Sequence, residues 1–130
     1  MDGIFASFRN PDTAIVFEDD GRVAYAYWIG TDGRANGDVW LYNRLNTPVA
    51  PEWKDRSKAP FPNPLAYART TLVFTLPEAA ADVGVVWSAD GKEARVVIGG
   101  VTAGVLEAGA KPGRAAMAAK DGPMARCLAP

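Results

Sequence analysis

The chain has 130 residues, 48% hydrophobic and 22% charged, which is the composition of an ordinary folded domain and far from that of disordered chains. With 14 Lys and Arg against 15 Asp and Glu the net charge is -1, so no basic footprint for nucleic acid or an anionic membrane exists. Histidine is absent and Cys127 is the only cysteine, which excludes an intramolecular disulfide, a thiolate zinc cluster and the Ser-His and Cys-His nucleophile pairs.

In chain order, Met1 to Asn10 (MDGIFASFRN) lacks the basic and apolar regions of a secretory signal, and no later apolar run approaches the ~20 residues that span a bilayer. The expectation is one soluble cytoplasmic β domain over residues 1–130. Thr13 to Glu18 and Arg22 to Ile29 are β-rich runs around Asp20-Gly21, a pair favoured in two-residue type I′ turns. That turn would set Asp19 opposite Arg22, Phe17 opposite Ala24 and Ile15 opposite Ala26. The second run is apolar on both faces, Val23, Tyr25, Tyr27 and Ile29 on one and Ala24, Ala26 and Trp28 on the other.

Asp32 to Asp38 (DGRANGD) gathers Asp32, Asn36 and Asp38, oxygen donors of the kind that hard cations take. Arg34 stands where an EF-hand loop wants a second ligand, and Asp, Asn and Gly are what a plain turn needs, so no metal is expected. Asp38 to Asn43 reads as a strand with Val39 and Leu41 on one side and Trp40 and Tyr42 on the other. Residues 45–69 then carry Pro48, Pro51, Pro60, Pro62 and Pro64, which excludes a central strand and favours an extended, polyproline-like loop.

Beyond the loop, Thr71 to Leu76 alternates as a strand would. Val83 to Ser88 and Glu93 to Ile98 flank Asp90-Gly91, which pairs Trp87 with Ala94, Val85 with Val96 and Val83 with Ile98 on a core face. Gly99, Gly100 and Gly104 lack the Gly-Lys-Ser/Thr ending of a phosphate loop and suit a bend or bulge between neighbouring strands, and Val101 to Glu107 reads as a strand. Pro112 to Lys120 (PGRAAMAAK) has proline at a first helical position and strong helix formers, so a short helix over 112–120 competes with a third hairpin at Asp121-Gly122. About seven to nine short strands without a long amphipathic helix predict an all-β, mainly antiparallel fold, a β-sandwich or a partly open barrel.

Few side chains suggest chemistry. Glu18, Asp19 and Asp20, or Glu52 and Asp55, could form a carboxylate pair, but their positions suit solvated loop charges, and no catalytic residue is expected. Cys127 suits a small hydrophobe in the core. Tyr25, Tyr27, Trp28, Trp40, Tyr42 and Trp53, with Asn43 and Arg44, form the candidate binding set, since tyrosine and tryptophan supply rigid area with a polar tip. Burial of these aromatics beneath 45–69, with Trp53 and Phe61 packing downward, is the competing reading.

Three stretches, Phe17 to Tyr27 (FEDDGRVAYAY), Gly37 to Arg44 (GDVWLYNR) and Lys111 to Pro123 (KPGRAAMAAKDGP), resemble a group of short bacterial proteins without assigned activity. The resemblance covers most of the chain and implies a bacterial, free-standing domain, with no chemistry and no site residues to carry over. The expected function is therefore a non-catalytic β-sandwich that binds a partner or forms a homodimer through its aromatic sheet face and proline-rich loop, without cofactor. The alternative is a small-molecule-binding or hydrolytic barrel, its pocket under the 45–69 loop and polar members in Asn43, Arg44 and Glu52.

Overall fold

The computed structural model describes residues 3–44, 68–69 and 72–128. Its strands form two sheets. The first is a four-stranded antiparallel meander in chain order, β1 (Ile4–Asn10), β2 (Thr13–Asp19), β3 (Val23–Ile29) and β4 (Ala35–Asn43). The second runs β5 (Val83–Trp87), β6 (Glu93–Ile98), β7 (Val101–Glu107), β8 (Arg114–Ala115) and β9 (Arg126–Cys127), antiparallel except for the parallel β8–β9 pair. Among the described residues the only helical element is a 3-10 turn, Ala80–Asp82.

The nine strands make a β-sandwich whose core follows the period-2 pattern. Ile15, Phe17, Ala24, Ala26, Trp28 and Val39 face inward from the first sheet, and Val83, Ala94, Val96, Ile98 and Leu106 from the second. Trp28 meets Trp87 edge to face across the layers, with ring centroids 5.4 Å apart. Each large apolar side chain so buried is worth about 1.5–3 kcal/mol relative to exposure.

The second Asp-Gly hairpin has the expected register, with Val83 opposite Ile98, Val85 opposite Val96 and Trp87 opposite Ala94. The first is two residues wider than expected, because Phe17 faces Ala26 and Asp19 faces Ala24, not Arg22. Its four-residue loop arises because the Asp20 carboxylate accepts the N–H groups of Arg22 and Val23 at 2.8 and 3.0 Å. Gly21 alone takes a positive φ there, so the turn is not type I′. The turn with both central residues at positive φ lies instead at Gly99-Gly100, between β6 and β7.

Other expectations are corrected by packing. Residues 72–76 are not a strand, although Phe74 is buried in the core. Residues 112–120 are not a helix, because Ala115, Met117 and Ala118 are buried and Ala116 N–H donates to the Ala103 carbonyl of β7. Tertiary contact with the second sheet overrides the helix propensity of the alanines. Cys127 is only half-buried, in β9. Residues 45–67 of the proline-rich stretch, with Trp53, Phe61, Glu52 and Asp55, lie outside the described residues, while Ala68 bridges Ala118.

One flank of the sandwich is sealed, and on the opposite one each sheet ends, among the described residues, in a terminal strand. The outer edge of β4 is occupied by the chain after β7: Asp38 N–H donates to Ala110, Gly113 N–H to Asp38, and Trp40 N–H to Met124. On the other flank β1 and β5 are the terminal strands of their sheets, and no described strand pairs with either on its outer side.

Candidate association surface

A β-bulge in β4 divides the aromatic set proposed from sequence. Tyr25 pairs with Trp40 but Ala24 pairs with Tyr42, so the extra residue, Leu41, breaks the alternation. Trp40 therefore shares the outward face with Tyr25, whereas Tyr42 turns into the core with Ala24 and Phe17. The strand reading that set Trp40 and Tyr42 on one side is corrected by this irregularity.

Each member of the set can now be placed. Tyr25 and Tyr27 lie half-buried on the outward face, stacked with centroids 6.3 Å apart. Trp40, on the same face at the sealed edge, is buried and donates from Nε1 to Asn43 Oδ1 at 3.1 Å. Trp28 is a core residue against Trp87. Trp53 lies outside the described residues.

Tyr42 and Arg44 serve a buried polar cluster centred on Asp19. That residue was read as a solvated tip charge, yet it is 1% exposed. Its Oδ2 accepts from Tyr42 Oη at 2.5 Å and Arg44 Nε at 2.6 Å, and its Oδ1 accepts from Gly21 N at 2.8 Å. Arg44 also donates to the Pro77 carbonyl and lies over the Tyr42 ring. All partners are internal, so the cluster reads as a clamp that ties the β2–β3 turn, the end of β4 and the segment before β5.

Burial first, and then the hydrogen bond to the Asp19 carboxylate, push the Tyr42 hydroxyl far above the usual tyrosine range. Because the folded pKa exceeds the unfolded value of about 10, this contribution to stability is whole below about pH 10 and is lost as pH rises further. Above pH 10 the wild type is expected to lose stability more steeply than Tyr42→Phe, by about 1.4 kcal/mol per pH unit. Urea unfolding of both proteins from pH 8 to 11 checks this, and parallel slopes would refute it.

Asp32 Oδ1 accepts from Arg34 N at 2.9 Å, which accounts for it as a turn former. Among the described residues no group of three His, Cys, Asp or Glu side chains could hold a metal ion. No helix among them is long and apolar enough to cross a membrane. Of the polar trio suggested for a small-molecule pocket, Asn43 accepts from Trp40 and Arg44 is held by Asp19 and Pro77, while Glu52 is outside the described residues. A groove of about 580 Å³ lies instead by Arg69, Val73, Arg95, Val101 and Leu128. Its described lining has two guanidinium groups, of which Arg69 donates to the Ala116 carbonyl and Arg95 pairs with Glu93.

Among the described residues no strand covers the flank of β1 and β5. Phe5 on β1 is 64% exposed and Val86 on β5 is 57% exposed, the two largest exposures of a large hydrophobic side chain among the described residues. Phe5 begins an outward row that passes exposed Glu18 to half-buried Tyr25 and buried Trp40 on successive strands. Ala6 and Phe8 on β1 and Val85 and Trp87 on β5 are only partly buried at the core's margin. Sequence reasoning missed β1 and Phe5, although the alternation of IFASF before Pro11-Asp12 is a strand-and-turn signal. Compared with known proteins, the chain matches no family model, no curated protein and no solved structure.

Proposed function

We propose that this chain is a non-catalytic β-sandwich that self-associates, with a second copy seated on the β1 edge of the first sheet and on the aromatic outer face beside it. The observation that carries the reading is β1 itself. It is a terminal strand with a 64% exposed phenylalanine, one charge, Arg9, and no proline. Edge strands of monomeric proteins are ordinarily blunted by charges, proline, bulges or a covering segment, and β1 has one such charge over seven residues.

Phe5 gives this surface exposed aromatic area, the residue class enriched where proteins meet. A two-fold dimer is the form such a surface favours, because the same patch on both copies satisfies itself. Under this reading the protein works as a homodimer in a bacterial cytoplasm. The single cysteine and the resemblance to short bacterial proteins support that setting, and no cofactor, nucleic acid or membrane is required.

Size-exclusion with light scattering tests it. The wild type is expected at twice the chain mass at micromolar concentration. Phe5→Lys, which puts a charge on the exposed edge without touching the core, is expected to weaken association at least tenfold. A wild type that stays monomeric up to millimolar concentration sinks the reading.

A further inference from the structure

The groove beside Arg69 lies on the outward face of the second sheet, where strand pairing gathers arginine. Arg95 pairs with Val105, Val105 with Arg114 and Arg114 with Arg126, so three guanidinium groups share one row across β6 to β9. That row points away from the core, since Arg95 is exposed between buried Ala94 and Val96. Ala116 and Leu128, two positions beyond Arg114 and Arg126, take the same face and line the groove. Arg69 joins them from another part of the chain. Its N–H donates to the Met117 carbonyl at 2.7 Å and its Nε to the Ala116 carbonyl at 2.7 Å, which fixes the side chain beside β8. Scattered between positions 69 and 126 of a chain with net charge -1, these arginines form no cluster in the sequence.

The carboxylates in reach balance little of this charge. Glu93 meets both Arg95 and Arg114 at 3.6 Å and Glu107 meets Arg114 at 3.8 Å, loose contacts between partly exposed side chains of the kind that contribute little. Arg69 has no ion pair among the described residues, and its Nη groups bond to none of them. Apolar side chains make most of the remaining lining, and two of them, Val73 and Val101, are exposed. A guanidinium fork accepts a carboxylate through two parallel hydrogen bonds, and the valines beside it gain from any hydrocarbon that covers them. The groove's 580 Å³ falls within the range of about 300–1,000 Å³ of small-molecule sites.

We propose that this groove binds a small aliphatic monocarboxylate, with the carboxylate on the Arg69 and Arg95 guanidinium groups and the hydrocarbon tail along Val73, Val101 and Leu128. Charge complementarity selects the anion, and the apolar lining selects what is attached to it. A sugar phosphate, a nucleotide or a peptide would bring hydroxyl or amide groups against valine and leucine, where each loses its water without gaining a partner. An alkyl tail loses nothing there. The site lies apart from the surface proposed for self-association and stands without it.

Calorimetric titration with octanoate, butyrate and octan-1-ol tests both halves of the site. Octanoate is expected to bind saturably with one molecule per chain. Butyrate should bind at least tenfold more weakly, because each methylene removed from apolar contact costs up to about fourfold in affinity. Octan-1-ol, which keeps the tail and lacks the charge, should also be at least tenfold weaker. Arg95→Gln and Val101→Glu alter exposed side chains, so the urea midpoint should stay at the wild-type value while octanoate affinity falls at least fivefold in each. Phe5→Lys should bind octanoate as the wild type does, whatever its oligomeric state. Equal affinity for octanoate and octan-1-ol, or variants at 95 and 101 that bind as the wild type, overturns the proposal. So does the absence of saturable octanoate binding, the result expected if a second copy of the chain fills the groove.

Discussion

Replacing Asp19 with alanine is expected to cost about 3–5 kcal/mol of folding stability, the range seen when one partner is removed from a buried ion pair. The carboxylate holds three donors at once, Tyr42 Oη, Arg44 Nε and Gly21 N. Without it, Arg44 keeps, among the described residues, the Pro77 carbonyl and the Tyr42 ring beneath it, and the Tyr42 hydroxyl is left buried without its acceptor. For a chain of this length each kcal/mol moves the midpoint of thermal unfolding by about 4 °C, so a fall of roughly 12–20 °C should accompany the urea result. The neighbouring Asp20 is the control. It is exposed, and although partial burial acts to raise its pKa, hydrogen bonds from Val23 and Arg22 and the Arg22 charge hold it below the usual carboxylate value. Asp20→Ala should cost no more than about 1 kcal/mol, the worth of a surface pair. Equal effects at the two positions, or a loss under 1 kcal/mol at Asp19, would show that the buried cluster does not clamp the fold.

That contrast marks where sequence reasoning ran out. Glu18, Asp19 and Asp20 are three consecutive acids beside a turn, and only the side on which each falls separates them: Glu18 outward, Asp19 inward, Asp20 in the loop. The alternation did set Phe17 and Ile15 on one face with Ala24 and Ala26, and the expected pairing of the first hairpin erred by two residues, a shift that preserves every face. The pairing of the Val83 to Ile98 hairpin was legible to the residue from its apolar positions, although Gly91 alone takes a positive φ and the turn is not the type I′ that Asp90-Gly91 suggests. Trp40 and Tyr42 could not be separated on paper, since a bulge inserts one residue into a period of two and leaves no mark in composition. The flank of β1 and β5 was hidden for another reason. An edge is a property of strand order, and the order emerges only when β1 is found at the end of one sheet and β5 at the end of the other.

The segment 112–120 offers a test in which local propensity and tertiary structure predict opposite signs. If PGRAAMAAK were helical, Gly113→Ala would stabilise the protein by up to about 1 kcal/mol, the difference between the two residues in a helix interior. Here Gly113 sits where the chain crosses the sealed flank. Its N–H donates to the Asp38 carbonyl at 2.6 Å and its carbonyl accepts from Arg126 N at 2.8 Å. A Cβ there would collide with the Val105 carbonyl oxygen and lie 3.4 Å from Val39 Cβ. The obstructing atom is backbone in the middle of β7, so no rotamer change can relieve the overlap, and the crossing strand has to move away from the sheet. Overpacking of this kind costs about 1–3 kcal/mol, and displacement would also stretch the hydrogen bonds that close β4's edge. The urea midpoint of Gly113→Ala is therefore expected to fall, whereas a rise would mean that these alanines are wound as a helix and that the flank is sealed by something other than this crossing.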